Sequence, residues 1–495
     1  MTLRELAATA LQVASDLPET PVQGIAQDSR RVEPGFVFVA RRGAVTDGHD
    51  HVPDALKRGA VAVVGELAPH QTQGYPWSGK VPYLRVPDPQ TAAAKLAAAY
   101  HRHPSRSLKT LGVTGTDGKT TTCFVLHHLL AGVYRTGLLS TASIRIGEEE
   151  VALQGHFTTP EAPEVQALLA RFRDSGLTHA VIESSSHGFA QRRLDEVDFD
   201  IGIWTNLSAE HLDFHGSLPM YRHAKATLMR RAHVSVLNAD EPDYEYFASC
   251  ARSYLSYGVS EKATWRAERI RLGAASISFD LRVAGGPRYP VRLPMIGEYN
   301  VHNALAALVA ACRAGIDLKA ACLRLATFPG VRGRMQLVQG EPFAVVVDFA
   351  HTPGALERAL KTLRPQTRRR LLVVIGAAGE RDPGKREPLG RVAVTHADFA
   401  VFTEEDSRSE DANDILAEMA KGAGAAGASM GVSYTTIAHR REAIRFAVAL
   451  AQPGDLVLLA GKGHEATLER ERETLEWNEV AEAEQALAAR RDRNR

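Results

Sequence analysis

The run VTGTDGKTTT, residues 113–122, sets glycines, a lysine and three threonines in an order that binds phosphate. Glycines at 115 and 118 let the backbone wrap closely enough for its N–H groups to face an anion. The N-terminus of a following helix adds partial positive charge, and Lys119 adds a full one. Thr120 then offers a hydroxyl to Mg²⁺. The strict nucleotide-loop pattern has glycine at 113, where this chain has valine, so the loop is a variant. Further along, Glu183 closes an apolar run and opens ESSSHGFAQRR; a carboxylate beside a phosphate loop is suited to Mg²⁺. His211 and Lys225 lie in TNLSAEHLDFHGSLPMYRHAKATL. Taken singly, a histidine or lysine in such a stretch is more often structural or solvated.

These residues meet only if the surrounding elements bring them together. Residues 108–114 read as a buried strand, 115–118 as a tight loop and 119–130 as a helix, with further strands at 180–183 and 200–204. Glu183 reaches the loop if its strand neighbours the one ending at Thr114. Residues 1–105 alternate short β runs (36–40, 60–64, 83–86) with helical runs such as 91–100, a small α/β unit. The stretch 101–106, with Pro104 inside it, reads as a linker, because proline cannot continue a helix. A glycine-rich segment at 328–334 closes the middle region. After it, strand, polar loop and helix recur four times, with strands at 344–347, 371–375, 399–403 and 456–459. Their loops are DFAHTP, GAAGERDPGKR, TEEDSRSED and GKGHE. Open α/β sheets bind ligands outside the carboxyl ends of their strands, so the four loops predict a binding surface along one edge.

A length of 495 residues suits about three domains, since single cores stop growing at roughly 250 to 300 residues. The expected boundaries give domains at 1–105, 106–333 and 334–495. Hydrophobic residues at 44% and charged residues at 24% match soluble globular chains and exclude disorder as the main state. With 59 basic against 58 acidic side chains, no overall field draws the chain to nucleic acid or an anionic membrane. Any anion must be bound locally. The apolar runs, such as 371–375 and 304–312, fall far short of the roughly 18 residues that span a bilayer. The N-terminus lacks a signal-peptide core, so the cytosol is the expected location. Cys123, Cys250, Cys312 and Cys322 have no CxxC or CxxxC spacing, which argues against a disulfide framework or zinc site and for small core residues. The basic end RRDRNR reads as a solvated, fraying helix terminus.

The ordered combination of DSRRVEPGFVFVA, GTDGKTT, TTPE (158–161), ESSSH, TNLSAEHLDFHG with Lys225, GEYNVHNALAA, GRM, DFAHTP and GKGHE resembles the Mur ligase family over almost the whole chain. That resemblance implies an α/β fold of three domains. These are a small N-terminal α/β UDP-binding domain, a central P-loop ATPase-like domain with a mostly parallel sheet, and a C-terminal Rossmann-like domain. It implies an ATP-dependent amide ligase that joins L-lysine, L-ornithine or meso-diaminopimelate to a UDP-N-acetylmuramoyl dipeptide through an acyl phosphate. Such an enzyme would be a cytoplasmic monomer with small-molecule substrates, no nucleic acid and no membrane insertion. Folylpolyglutamate synthase shares the scheme, but the DSRRVEPGFVFVA unit speaks against it. A nonenzymatic nucleotide switch would leave Glu183, His211 and Lys225 unexplained.

By the same resemblance, ATP's phosphates would lie on Gly115, Thr116, Asp117, Gly118, Lys119, Thr120 and Thr121. Its adenosine end would meet Asn303, Arg334, Asp348 and His351; Asn300 is equally read as a helix cap. Mg²⁺ would be held by Thr120, Glu183, His211 and Lys225, the lysine as a carbamate formed with CO₂. An ammonium of ordinary pKa about 10.4 would repel the metal, whereas a carbamate brings two hard oxygens. Catalysis would then rest on Lys119, Glu183, His211 and Lys225. The UDP-sugar substrate would contact Ser29, the turn Ala44, Val45 and Thr46, and Thr158, Thr159, Ser185, Gln191 and Arg193. The Arg193 fork suits an anionic acceptor, and Arg192 beside it reads as solvated. The incoming amino acid would meet Arg381, Glu405, Asp406, Ser407, Arg408, Gly461 and Glu465. Family members that use meso-diaminopimelate read DNPR in this loop, with the arginine on the distal carboxylate. Here Arg408 favours a second carboxylate while Asp406, in place of asparagine, suits a bare ammonium. The two point in opposite directions, and the balance leans to lysine or ornithine.

Overall fold

Short aliphatic runs separated by helices pair in parallel at the N-terminus of the computed structural model, which describes residues 1–13, 17–43, 46–73, 79–151, 158–273 and 275–493. Gly24–Ala26, Phe36–Val39, Ala62–Gly65 and Tyr83–Arg85 form a four-stranded sheet in that order, every pair parallel. Successive side chains point to opposite faces. Val37, Val39, Ala62 and Val64 therefore meet helices Leu3–Leu11 and Pro89–Tyr100, while Phe38 and Val63 meet Val52–Lys57. Helix Pro89–Tyr100 begins ahead of the expected 91–100, because Asp88 caps the N–H groups of Gln90 and Thr91 and Pro89 stands where no N–H is needed. The stretch 101–106 is a packed connection. Arg173 donates to the His101 carbonyl at 2.7 Å, and the buried Ser105 hydroxyl accepts from the Asp198 N–H at 3.2 Å.

The central sheet places Lys109–Thr114 between Ile201–Trp204 and His179–Glu183. Val234–Asn238 and Tyr254–Gly258 extend it on one side and Thr136–Leu139 on the other, all parallel. Ile144–Ile146 and Glu149–Val151 add an antiparallel edge. Val113 is in register with Glu183 and Thr114 with Trp204, so the carboxyl ends of three strands emerge together.

The C-terminal sheet runs Gln336–Gln339, Ala344–Asp348, Leu456–Ala460, Leu371–Ile375, Phe399–Phe402 and Tyr434–Thr436, parallel except for the first pair. Its central strands read as unbroken apolar runs because both faces are covered. Helices Pro353–Leu363, Arg386–His396 and Ala412–Ala425 pack on one face, Arg440–Leu450 and Glu479–Arg493 on the other. Leu456–Ala460 returns to lie between Ala344–Asp348 and Leu371–Ile375, and ligands bind at such a switch point. A hairpin, Thr467–Arg470 with Glu473–Glu476, follows the last loop.

The chain divides into two compact units. One contains Met1–Arg266, Arg282–Arg288 and His302–Arg324, and so holds both the N-terminal and the central sheet; the other contains Ala267–Leu281, Tyr289–Val301 and Leu325–Arg495. Cys123 and Cys322 are buried, Cys250 and Cys312 half-buried. Among the described residues no helix is long and apolar enough to cross a membrane.

Candidate active site

The phosphate loop follows strand Lys109–Thr114 and ends at Gly118, which caps helix Lys119–Leu130. Gly115 and Gly118 take φ of 153° and 80°, conformations that a side chain resists. Neither has room for one: a Cβ at Gly115 would collide with the Thr205 hydroxyl, and one at Gly118 with the Asn303 carboxamide. The segment after strand Ile201–Trp204 holds the loop from behind. Asp117 N–H donates to Asn206 Oδ1 at 2.8 Å, and Thr205 Oγ1 donates to the Asp117 carbonyl at 2.6 Å. Thr116 bonds the Ser208 N–H at 3.0 Å and the Tyr221 hydroxyl at 3.2 Å. The residues TNLS thus act on the loop as a brace, a role that their place after a strand could have suggested. Asn303, expected at the adenosine end, lies against the phosphate loop, where its Oδ1 also accepts from Thr122 Oγ1 at 3.3 Å.

Thr120 Oγ1 donates to Glu183 Oε1 at 2.9 Å, and both residues are buried. The other carboxylate oxygen accepts from the Ser140 hydroxyl and, at 3.0 Å, from the Thr141 N–H. Two lysines converge on one carbonyl here: Lys119 Nζ lies 3.0 Å and Lys225 Nζ 2.5 Å from the Gly115 oxygen. Lys225 is 1% exposed. Burial first, then the Lys119 charge, hold its ammonium well below the ordinary lysine value. His211 joins a different group, edge-on to His187 with centroids 4.7 Å apart; burial, with Lys119 and Lys225, lowers its pKa against Glu210. Among the described residues no three of His, Cys, Asp and Glu are gathered to hold a metal. The hard oxygens of Thr120 and Glu183 beside the loop nevertheless fit Mg²⁺, and the buried amine of Lys225, whose pKa is lowered, fits reaction with CO₂.

Thr159 and Ser185 meet at 2.9 Å, and Ser185 caps the short helix Ser186–Ala190. Arg193, 5% exposed, donates to the Thr159 carbonyl and pairs with Glu161, each at 2.9 Å. Glu161 also faces Arg41 at 3.7 Å, an arginine two residues past strand Phe36–Val39 that the sequence motifs do not include. Gln191 Oε1 is buried with no hydrogen-bond partner among the described residues, and Thr158, next to Thr159 in sequence, is half-buried. Ser29 is buried at the start of a 3₁₀ turn, and the Thr46 carbonyl accepts from Gly43 N–H at 2.8 Å. Ala44 and Val45 lie outside the described residues.

In the second unit three motifs converge. A Cβ at Gly333 would strike the backbone of Gly463 and His464, and the Arg334 guanidinium lies over Phe349, 4.6 Å from the ring centroid. Asp348 accepts from the N–H groups of Met335 and Ala350 at 2.7 and 2.9 Å, and burial raises its pKa against Arg334. His351 and His464 flank Phe349.

The third and fourth loops of this sheet also meet. Lys462, fully buried, pairs with Asp406 at 2.7 Å and Glu465 at 2.6 Å. Burial acts against its charge, but the two carboxylates outweigh it and its pKa is raised. Asp406, whose charge was expected to suit a bare ammonium, is therefore already engaged by Lys462. Arg408 has φ 52°; it pairs with Glu469 at 2.9 Å and donates to the Gly379 carbonyl at 2.6 Å. The Ser407 carbonyl leaves no room for a side chain at Gly379, Gly461 turns with φ 106°, and Arg381 is exposed. Below the loops, Arg440 donates to the carbonyls of Glu404 and Ala460, the residues just before Glu405 and Gly461, and is itself held by Glu479.

Glu405 is buried, and burial pushes its carboxyl up to about 7 despite Lys385, Arg440 and Lys462. Between the ordinary carboxylate range and pH 7 the folded protein keeps a proton that the unfolded chain has lost, so this group's contribution to stability falls as pH rises through that window. Glu405→Gln should be more stable than wild type above pH 7, by about 3 kcal/mol, and the gain should vanish toward pH 4. Urea unfolding of both proteins from pH 5 to 8 checks this. A difference that does not change with pH would refute it.

A nucleotide loop with an acidic partner, joined in one chain to a doubly wound domain with charged loops at its switch point, defines a phosphate-loop enzyme with separate ligand-binding modules. Family descriptions match throughout: "Mur ligase family, catalytic domain" over residues 21–101, "Mur ligase middle domain" over 113–311 and "Mur ligase, glutamate ligase domain" over 333–463. The chain belongs to the Mur ligase family and has its three-domain α/β architecture. It is 48% identical to a UDP-N-acetylmuramyl-tripeptide synthetase of Deinococcus radiodurans, across 99% of this chain and 100% of that one. Identity is 38% to a UDP-N-acetylmuramoyl-L-alanyl-D-glutamate--2,6-diaminopimelate ligase of Geobacillus kaustophilus, covering 95% of each. A solved structure of a ligase of that latter name superposes with TM-score 0.68 at 30% identity, over 99% of both chains. A Mycobacterium tuberculosis folylpolyglutamate synthase shares the fold at TM-score 0.60 and 19% identity, but covers only 74% of this chain.

Proposed function

We propose that the protein is an ATP-dependent amide ligase of peptidoglycan precursor synthesis that joins a diamino acid to the D-glutamate carboxyl of UDP-N-acetylmuramoyl-L-alanyl-D-glutamate. The observation that carries the site chemistry is the meeting of Lys119 and Lys225 on the Gly115 carbonyl, in the same loop whose Thr120 hydroxyl meets Glu183. Two ammonium groups on one oxygen repel, so the buried one is the neutral amine, open to attack on CO₂. A new N–C bond then forms, one N–H proton leaves to solvent, and the side chain becomes an anionic carbamate.

Catalysis of the phosphoryl transfer is mainly electrostatic. The acceptor carboxylate attacks the γ-phosphorus of ATP, releasing ADP and forming an acyl phosphate. The amine of the diamino acid then adds to the carbonyl carbon, and phosphate leaves as the amide forms and the nitrogen loses a proton. Lys119 stabilises charge on the transferring group. Mg²⁺, held by Thr120 and Glu183 with His211 and the Lys225 carbamate, would neutralise charge on the nucleotide. Arg193, with Thr159, Ser185 and Gln191, grips the acceptor, and Ser29 and the turn through Thr46 take its uridine end. The adenosine end falls to Asn303, Arg334, Asp348 and His351. The loops carrying Arg381, Glu405 to Arg408, Gly461 and Glu465 receive the amino acid. The functional modules divide near residues 105 and 333, and the enzyme works as a cytoplasmic monomer.

Phosphate release from ATP and Mg²⁺ should require both the UDP-linked dipeptide and a diamino acid. Release with a pterin acceptor and glutamate instead would replace this reading by polyglutamylation.

A further inference from the structure

Around the third and fourth loops, the carboxylates of Asp406, Glu465 and Glu469 pair with Lys462 and Arg408. Glu469 is the residue that ties this group together. Its side chain takes Arg408 Nε at 2.9 Å, its carbonyl accepts the Arg408 N–H at 3.2 Å, and its own N–H donates to Asp406 Oδ1 at 3.0 Å. Arg408 is engaged on two further sides, by the Gly379 carbonyl at 2.6 Å and by Asp406 Oδ2 at 3.8 Å. Beside them Glu405, 6% exposed, turns a carboxyl oxygen with no hydrogen-bond partner among the described residues toward Gly461, where a Cβ would lie 2.9 Å away. A second carboxylate brought here would meet an arginine already paired with Glu469, beside the carboxylates of Asp406 and Glu465. An ammonium would find the Glu405 oxygen, which has no hydrogen-bond partner among the described residues, ready to accept from it.

We propose that Glu469 sets the choice of amino acid: by occupying Arg408 it withdraws the guanidinium from a distal carboxylate, so the site takes a diamino acid whose far end is an unaccompanied ammonium. The inference rests on the ligase reading above and deepens it. The α-carboxylate is left to the exposed Arg381 on the neighbouring loop. Glu469 carries no sequence signal, since it lies in the hairpin strand Thr467–Arg470, outside every motif, and meets Arg408 across 61 residues of chain.

Steady-state phosphate release on the full chain, with the UDP-linked dipeptide and L-lysine, L-ornithine or meso-diaminopimelate in turn, tests this. Wild type should use lysine or ornithine with kcat/KM about tenfold or more above that for meso-diaminopimelate. In Glu469→Gln, which keeps the shape and removes the charge, the KM for meso-diaminopimelate should fall about tenfold while that for the favoured substrate rises. The wild-type preference needs no variant to fold. A wild-type preference for meso-diaminopimelate, or a Glu469→Gln protein that folds and keeps the same KM ratio, would overturn the inference and leave the ligase reading intact. Turnover with none of the three would overturn both.

Discussion

Lys119→Ala is expected to lower ATP-dependent phosphate release roughly a thousandfold or more, with little change in the unfolding transition. The two effects separate because Lys119 is half-buried at the first turn of its helix and packs no core. Among the described residues its amine makes two hydrogen bonds, to the Gly115 and Thr116 carbonyls at 3.0 and 2.7 Å. Their loss costs about 1 kcal/mol each at most. In the reaction the same nitrogen is the full positive charge of the loop, and removing it exposes the transferring phosphoryl group to uncompensated charge. Phosphate release and thermal unfolding, measured side by side, check both halves. Turnover within tenfold of wild type would remove the phosphate loop from the mechanism.

Lys225 should be as important, for a different reason. Lys225→Met and Lys225→Arg are both expected to lose roughly a thousandfold, although arginine keeps the positive charge. A lysine acting as a plain cation would tolerate that change; a lysine acting as a carbamate would not, because a guanidinium does not add CO₂. Wild-type activity should fall in CO₂-depleted buffer and return with bicarbonate, and neither variant should respond. Independently of activity, ¹³C-bicarbonate should give a carbamate carbon resonance in wild type that Lys225→Met lacks. Activity unchanged by CO₂ depletion, without that resonance, would assign Lys225 to bracing the Gly115 carbonyl alone.

Local pattern carries far in this chain wherever the physics is local. The phosphate loop is contiguous, and the helix after it spans Lys119–Leu130 as its residues predict. Strands 371–375 and 456–459 announce themselves because a parallel sheet covered on both faces demands unbroken apolar runs. Gln336–Gln339 and Tyr434–Thr436 gave no such signal: as short edge strands with polar positions they look like loops. The motifs, taken in order, were enough to name the family.

What depends on pairing across the chain could not be read that way. Thr120 meets Glu183 only because strand Lys109–Thr114 lies beside His179–Glu183, an order that hydrophobic runs do not encode. Asn303 lies against the phosphate loop because a helix far along the chain returns to Gly118. Asp406 and Arg408 looked like opposing votes on the substrate, each with a charge to offer. Folding supplied Lys462 to one and Glu469 to the other, across 56 and 61 residues. A charge in a sequence has a sign, but whether it is free to bind depends on what packs against it, and that is settled only when distant loops close on the same edge of a sheet.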